Sequence, residues 1–185
     1  VFRSSDFPRA RALGYWAAQM AGAILGGLTT LWVFGSRISR FEAANAMERG
    51  EAGSELSAMV FGEYFPNPAM RGGRDMVSDP LSPFGAVAIE AFGVSILVAV
   101  IFALTDHRNQ TRLVKYATPH AIGATIAVLI GVLAPYTQAG LNPARDFGPR
   151  LVALFAGWGN IAIPGPANGF WVYIMGPLLG GIVGA

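Results

Sequence analysis

The sequence predicts an all-α membrane protein, and three observations carry that prediction. Of 185 residues, 53% are hydrophobic and only 13% are charged, where a soluble domain carries about 25% charge. Mean hydropathy is +0.46. Four apolar segments approach or exceed the roughly 20 residues that a spanning helix needs. The chain also holds 24 glycines, a residue more frequent in membrane helices than in soluble ones.

The elements follow in order. Residues 10–34, "ARALGYWAAQMAGAILGGLTTLWVF", form the first predicted span. Residues 35–83 are the long outer loop, in which "FEAANAMERGEAGSELSAM" has the pattern of a short amphipathic helix. Residues 84–105 and 118–135 are the second and third spans, the latter at the short end of the range. Residues 169–185 are the fourth. Gly22 and Gly26, Gly180 and Gly184, and Ala127 and Gly131 have the small-xxx-small spacing that lets membrane helices approach closely.

Charge sets the orientation. Arg3, Arg9 and Arg11 precede the first span, and Arg108, Arg112 and Lys115 lie between the second and third. Basic short loops face the cytoplasm, so the start of the chain is expected there and segment 35–83 outside. A formal net charge of +2, with no basic and aromatic cluster, gives no footprint for nucleic acid. The chain has no cysteine, and His107 and His120 have no acid at metal-ligand spacing. No cofactor or metal is expected. An intramembrane enzyme would need a nucleophile with a base, or a metal cluster; no such set lies within the predicted spans.

The tripeptide "NPA" occurs twice, at 67–69 and 142–144. Asn142 is a strong N-cap and Pro143 suits the first helical position. The segment 142–155 therefore starts a helix but is too short to span. It reads as a re-entrant half-helix, entering from the outer side and tolerated at membrane depth where it is packed in protein or lines a wet cavity. The Asn142 carbonyl oxygen is expected to accept from the Arg145 N–H, leaving the amide NH₂ as a donor off the helix end. The helix dipole adds positive potential at that point. Arg145 breaks a local rule: a cation in the first turn costs about 0.3–1 kcal/mol, and an arginine at membrane depth about 2.5–3.5 kcal/mol. It is a candidate pore donor and cation barrier, with snorkelling to the outer surface as the plain alternative. Around Asn67 the chain meets Gly72–Gly73 after one turn, so "FPNPAM" reads as a proline-braced stretch of the outer loop. Glu90 is a lone carboxylate in a span and so a functional candidate, a proton relay being one reading.

"GLNPARDFGPR" with "AGWGN" resembles the second signature of the major intrinsic proteins, the aquaporins and glycerol facilitators. The resemblance covers nearly the whole chain. It implies an aquaporin-like right-handed bundle of six helices and two half-helices, assembled as a homotetramer with one pore per subunit. The four spans correspond to the third to sixth of that fold. The first two spans and the first NPA half-helix are then expected to be missing from this chain. The pore residues implied are Asn142, Pro143 and Ala144, with Arg145, Ala139 and Ile130 at the selectivity filter. Asp146, Arg150 and Phe65 match the glycerol branch; Tyr173 and Ile174 stand closer to the water channels. Glu90 is implied to support the loop before Asn142.

The expected function is passive passage of glycerol and other small neutral solutes, with water, through a multi-pass protein of the lipid bilayer, the plasma membrane being the expected location. A water-selective channel is the alternative, and so is a non-conducting membrane scaffold, since half the pore is expected to be missing.

Overall fold

The computed structural model describes residues 8–71, 81–106, 108 and 112–185. Arg3, and residues 72–80 of the outer segment, lie outside the described residues. Helices and tight turns make up the architecture, with no strand among the described residues. Three helices are long and apolar enough to cross a membrane, over Arg11–Ala44, Pro83–Thr105 and Tyr116–Thr137.

Helix α1 covers Arg9–Ala44, starting directly after Pro8. Its 36 residues rise about 54 Å at 1.5 Å per residue, against a hydrocarbon core of about 30 Å. Residues 35–44, expected as loop, instead continue this helix. Nothing between Phe34 and Ala44 breaks it except Gly35, and one glycine costs only about 1 kcal/mol. The helix stops at Asn45, whose side-chain amide donates to Phe41 O at 2.8 Å. Ala46 then turns the chain with φ 51°. Of the expected amphipathic helix, residues 41–44 belong to α1 and only a four-residue turn, α2 (Glu55–Ala58), forms beyond them. Pro68–Arg71 is a single 3-10 turn.

Helix α3, Pro83–Thr105, has Ser82 as its cap, with Oγ accepting from the Gly85 N–H at 3.1 Å, and proline at the first position. Helix α4 covers Arg112–Thr137. Helix α5, Pro143–Ala153, is 11 residues long and runs into a wide turn at Leu154–Trp158. Helix α6, Val172–Val183, has 12 residues, about 18 Å at the standard rise; it is the helical part of the segment expected at 169–185.

Helix α3 packs on α6 and α4, and α1 on α5. Close approach fixes both contacts. On α6, Gly176, Gly180 and Gly184 face α3: a methyl group on Gly180 would lie 2.3 Å from Ala91 O, and one on Gly184 2.4 Å from Ser95 O. On α5, a methyl on Gly148 would lie 2.5 Å from Ala23 Cβ. Gly22 and Gly26, singled out by their spacing, face no atom within 4 Å, and the same holds for Gly131. Spacing finds a small-residue stripe; it does not say which neighbour the stripe meets. Gly180→Val is expected to cost about 1–3 kcal/mol by overpacking, read as a lower melting temperature in detergent. Gly181→Ala, with open space beside it, is the control and should leave that temperature unchanged.

The largest buried core joins the C-terminal part of α1, the segment that follows it and the end of α5. Ile38, Ala58, Phe61, Tyr64, Val152, Ala153, Trp158 and Ala162 form it. Arg49 ties it together. Its Nε donates to both Glu42 carboxylate oxygens, at 3.0 and 2.9 Å, and its Nη1 to Ala156 O at 3.1 Å. The guanidinium lies 4.1 Å from the Trp158 ring centroid, and the Trp158 indole N–H donates to Ser57 Oγ at 2.9 Å. Along the spans, apolar side chains such as Leu25, Trp32, Val128 and Val132 point outward, as suits helices whose solvent is hydrocarbon.

Candidate functional site at the start of α5

The site begins with three residues of unusual backbone. Gln138, Ala139 and Leu141 all have positive φ, at 62°, 57° and 55°. Each costs of order 1–2 kcal/mol for a residue with a Cβ. The Gln138 N–H still closes the end of α4 on Ala134 O at 3.0 Å, but the N–H groups of Gly140 and Leu141 need acceptors outside a helix. Glu90 on α3 provides two: Oε1 accepts from the Gly140 N–H at 3.0 Å, and Oε2 from the Leu141 N–H at 2.8 Å. Bonds to a charged group are worth about 1.5–3 kcal/mol each, enough to offset the strain. A methyl group on Gly140 would lie 2.7 Å from the Tyr173 ring, so only glycine fits there.

Asn142 then caps α5. Its Oδ1 accepts from the Ala144 N–H at 2.9 Å and, more loosely, from the Arg145 N–H at 3.5 Å. The main partner is thus one residue earlier than expected, the other of the two cap geometries open to an Asn. Asn142, Pro143 and Ala144 line a cleft of about 310 Å³, with Trp16, Gln19 and Met20 of α1 and Leu178 of α6.

Asp146 and Arg150 are fully buried, one turn apart on α5. Arg150 grips Asp146 with two arms, Nε to Oδ2 at 3.0 Å and Nη2 to Oδ1 at 2.8 Å. Its Nη1 donates to Ala162 O at 2.9 Å and its Nη2 to Glu63 O. Asp146 Oδ1 also accepts from the Glu63 N–H at 2.6 Å. This pair therefore stitches α5 to the segment between α1 and α3 and to the turn that follows α5. Tyr64 and Tyr173 flank the guanidinium, with ring centroids 4.8 and 5.6 Å away. Burial pushes the Tyr64 hydroxyl up to about 12 against the opposing pull of Arg150, so it stays a donor, to Ile161 O at 3.1 Å.

The remaining sequence candidates fall in different places. Arg145 is exposed and forms an ion pair with Glu63, a carboxylate only 2% exposed. Phe65 is buried against Tyr173, 6.2 Å between ring centroids, and fills the space over Gly169. Ile174 is half-buried. Ala139 is buried with Leu129 and Leu133, whereas Ile130 is exposed. The first NPA makes one 3-10 turn. Asn67 Oδ1 accepts from the Ala69 N–H at 2.9 Å, and its Nδ2 donates to Ala134 O at 2.8 Å, tying the outer segment to the end of α4.

Glu63 and Gln138 were missed. Gln138 Oε1 accepts from the Tyr64 N–H at 2.7 Å. The available signal for Glu63 was an acid set among aromatic and small residues, "FGEYFPNP"; it points to a buried charge without naming its partner.

The whole chain, residues 1–185, matches the family model described as Major intrinsic protein. The chain belongs to the major intrinsic protein family. Membership and the long apolar helices make it an integral membrane protein. Among curated members of this family, it is 38% identical over 181 residues to the propanediol uptake facilitator PduF of Citrobacter freundii, covering 97% of this chain and 62% of that protein. It is 38% identical over 173 residues to the glycerol uptake facilitator protein of Pseudomonas aeruginosa, covering 92% and 57%. It is 34% identical over 181 residues to the glycerol uptake facilitator protein of Escherichia coli, covering 97% and 60%. The chain spans less than two thirds of the length of each of these relatives.

Proposed function

We propose that this chain contributes to a passive channel for glycerol and other small neutral solutes, water among them, and that the channel excludes ions and protons. The observation that carries this reading is the start of α5. Asn142 commits its Oδ1 to the helix end, so the group its side chain offers the cleft is the amide NH₂. The positive end of the α5 dipole lies at the same point. Such a site binds the oxygens of a polyol and repels a cation. The relatives named for glycerol and propanediol uptake support the same solute class.

On this reading α5 is a re-entrant half-helix with Asn142, Pro143 and Ala144 at its pore end and Arg145 above them. Glu90 holds the loop that precedes it. Asp146, Arg150, Phe65, Tyr173 and Ile174 shape the pore from behind rather than by touching solute. The start of the chain is cytoplasmic, the membrane is the plasma membrane, and the assembly is a homotetramer without a cofactor or an enzymatic step.

The test is solute-driven reswelling of proteoliposomes that hold the protein as its gene encodes it. Glycerol and 1,2-propanediol are expected to enter faster than into empty vesicles, with no acidification of an entrapped pH dye under a proton gradient. Flux no faster than in empty vesicles for glycerol, propanediol and water alike would reject the channel and leave the scaffold. Asn142→Ala is expected to slow glycerol entry and to cost about 1 kcal/mol through the lost cap.

A further inference from the structure

Glu63 is held in place from both sides of its backbone. Its N–H donates to Asp146 Oδ1 and its carbonyl accepts from Arg150 Nη2. Its carboxylate is thereby presented to Arg145, with which it forms an ion pair. The two partners differ sharply in exposure: the Glu63 side chain is 2% exposed and that of Arg145 is 55% exposed. A carboxylate so buried needs a paired cation, whereas an open arginine needs none. The pairing thus sets a buried negative charge against an exposed guanidinium. Arg145, Arg150, Glu63 and Asp146 form one cluster whose two positive and two negative charges cancel.

We propose that Glu63 is a specificity-determining residue of the channel, the counter-ion that neutralises Arg145 and fixes the direction of its free donors. The inference rests on the channel reading above. Arg145 then does not act as a net positive barrier. It offers oriented N–H groups to a neutral solute, while Glu63 cancels the field that would otherwise draw anions into the mouth. One arm of the guanidinium is occupied by Glu63, and the others stay available for solute oxygens. Discrimination against cations is left to the α5 dipole and the Asn142 donor.

The charge balance makes the proposal testable by ion selectivity, which a merely structural role would not move. Proteoliposomes holding the complete protein are assayed for nitrate and potassium leak beside glycerol flux. Glu63→Gln keeps the shape and removes the charge. The nitrate-to-potassium leak ratio is expected to rise about tenfold, because a unit charge at the mouth acts on anion and cation with opposite sign. Arg145→Gln leaves the carboxylate alone and is expected to shift the same ratio the other way. The double variant should return it to the wild-type value.

A folded Glu63→Gln protein with the wild-type leak ratio would overturn the proposal. If that single variant does not fold, Arg145→Gln and the double variant decide the question: equal leak ratios in those two overturn it as well. A wild-type protein that passes no neutral solute is a different failure, that of the channel reading itself.

Discussion

Arg150→Ala is expected to be among the most damaging single substitutions in this chain, costing about 3–5 kcal/mol. That is the range for breaking a buried ion pair by removing one partner, and a large share of the 5–15 kcal/mol by which proteins are stable. The loss has three parts. Asp146 would keep a buried charge, with the Glu63 N–H as its one remaining hydrogen-bond donor of those named above. The carbonyls of Ala162 and Glu63 would lose their donor. The space between Tyr64 and Tyr173 would empty. A melt followed by size exclusion in detergent reads the effect.

Arg150→Lys is expected to fall between the two, since an ammonium restores charge but cannot fork to Asp146 and reach two carbonyls at once. Asp146→Ala combined with Arg150→Ala should cost less than the sum of the single changes, because the second change removes the charge that the first stranded. Strict additivity, or an Arg150→Ala protein that melts with the wild type, would show that the pair does not carry the joint between α5 and the outer segment.

Much of this was legible in the sequence, and the reason differs by element. Helices α3 and α4 announce themselves by apolar length, which needs no tertiary information. The start of α5 is legible because an Asn–Pro pair is a local capping signal, complete within four residues. Asp146 and Arg150 were visible as a spaced pair but not as a joint, since their partners at Glu63 and Ala162 are 83 and 12 residues away from one or the other. The continuation of α1 to Ala44 is hidden because the polarity after Phe34 marks the end of an apolar stretch and not the end of the helix. Glu63 was hidden for a related cause. A buried acid in a loop is meaningful only through its partner, and Arg145 is far off in sequence.

Glu90→Gln is expected to separate the two roles open to a carboxylate inside a span. As an acceptor, Glu90 uses both oxygens, one for Gly140 and one for Leu141. Glutamine offers a single oxygen, so one of the two N–H groups would face an NH₂ donor instead. The expected cost is about 1.5–3 kcal/mol for the lost charge-assisted bond, and the left-handed run at Gln138, Ala139 and Leu141 loses half its anchor. Glycerol flux should fall because Asn142 follows directly on that run. Glu90→Ala, which removes both acceptors, should fall further in both readouts. A proton relay predicts the reverse pattern: melting temperature unchanged in Glu90→Gln, and uptake driven by a pH gradient in the wild type abolished in the variant. The structure favours the first pattern, since each carboxylate oxygen already accepts from a backbone donor. Protonation would remove the charge that strengthens both bonds, so a transport cycle through Glu90 would weaken the anchor of the loop before Asn142 at every turnover.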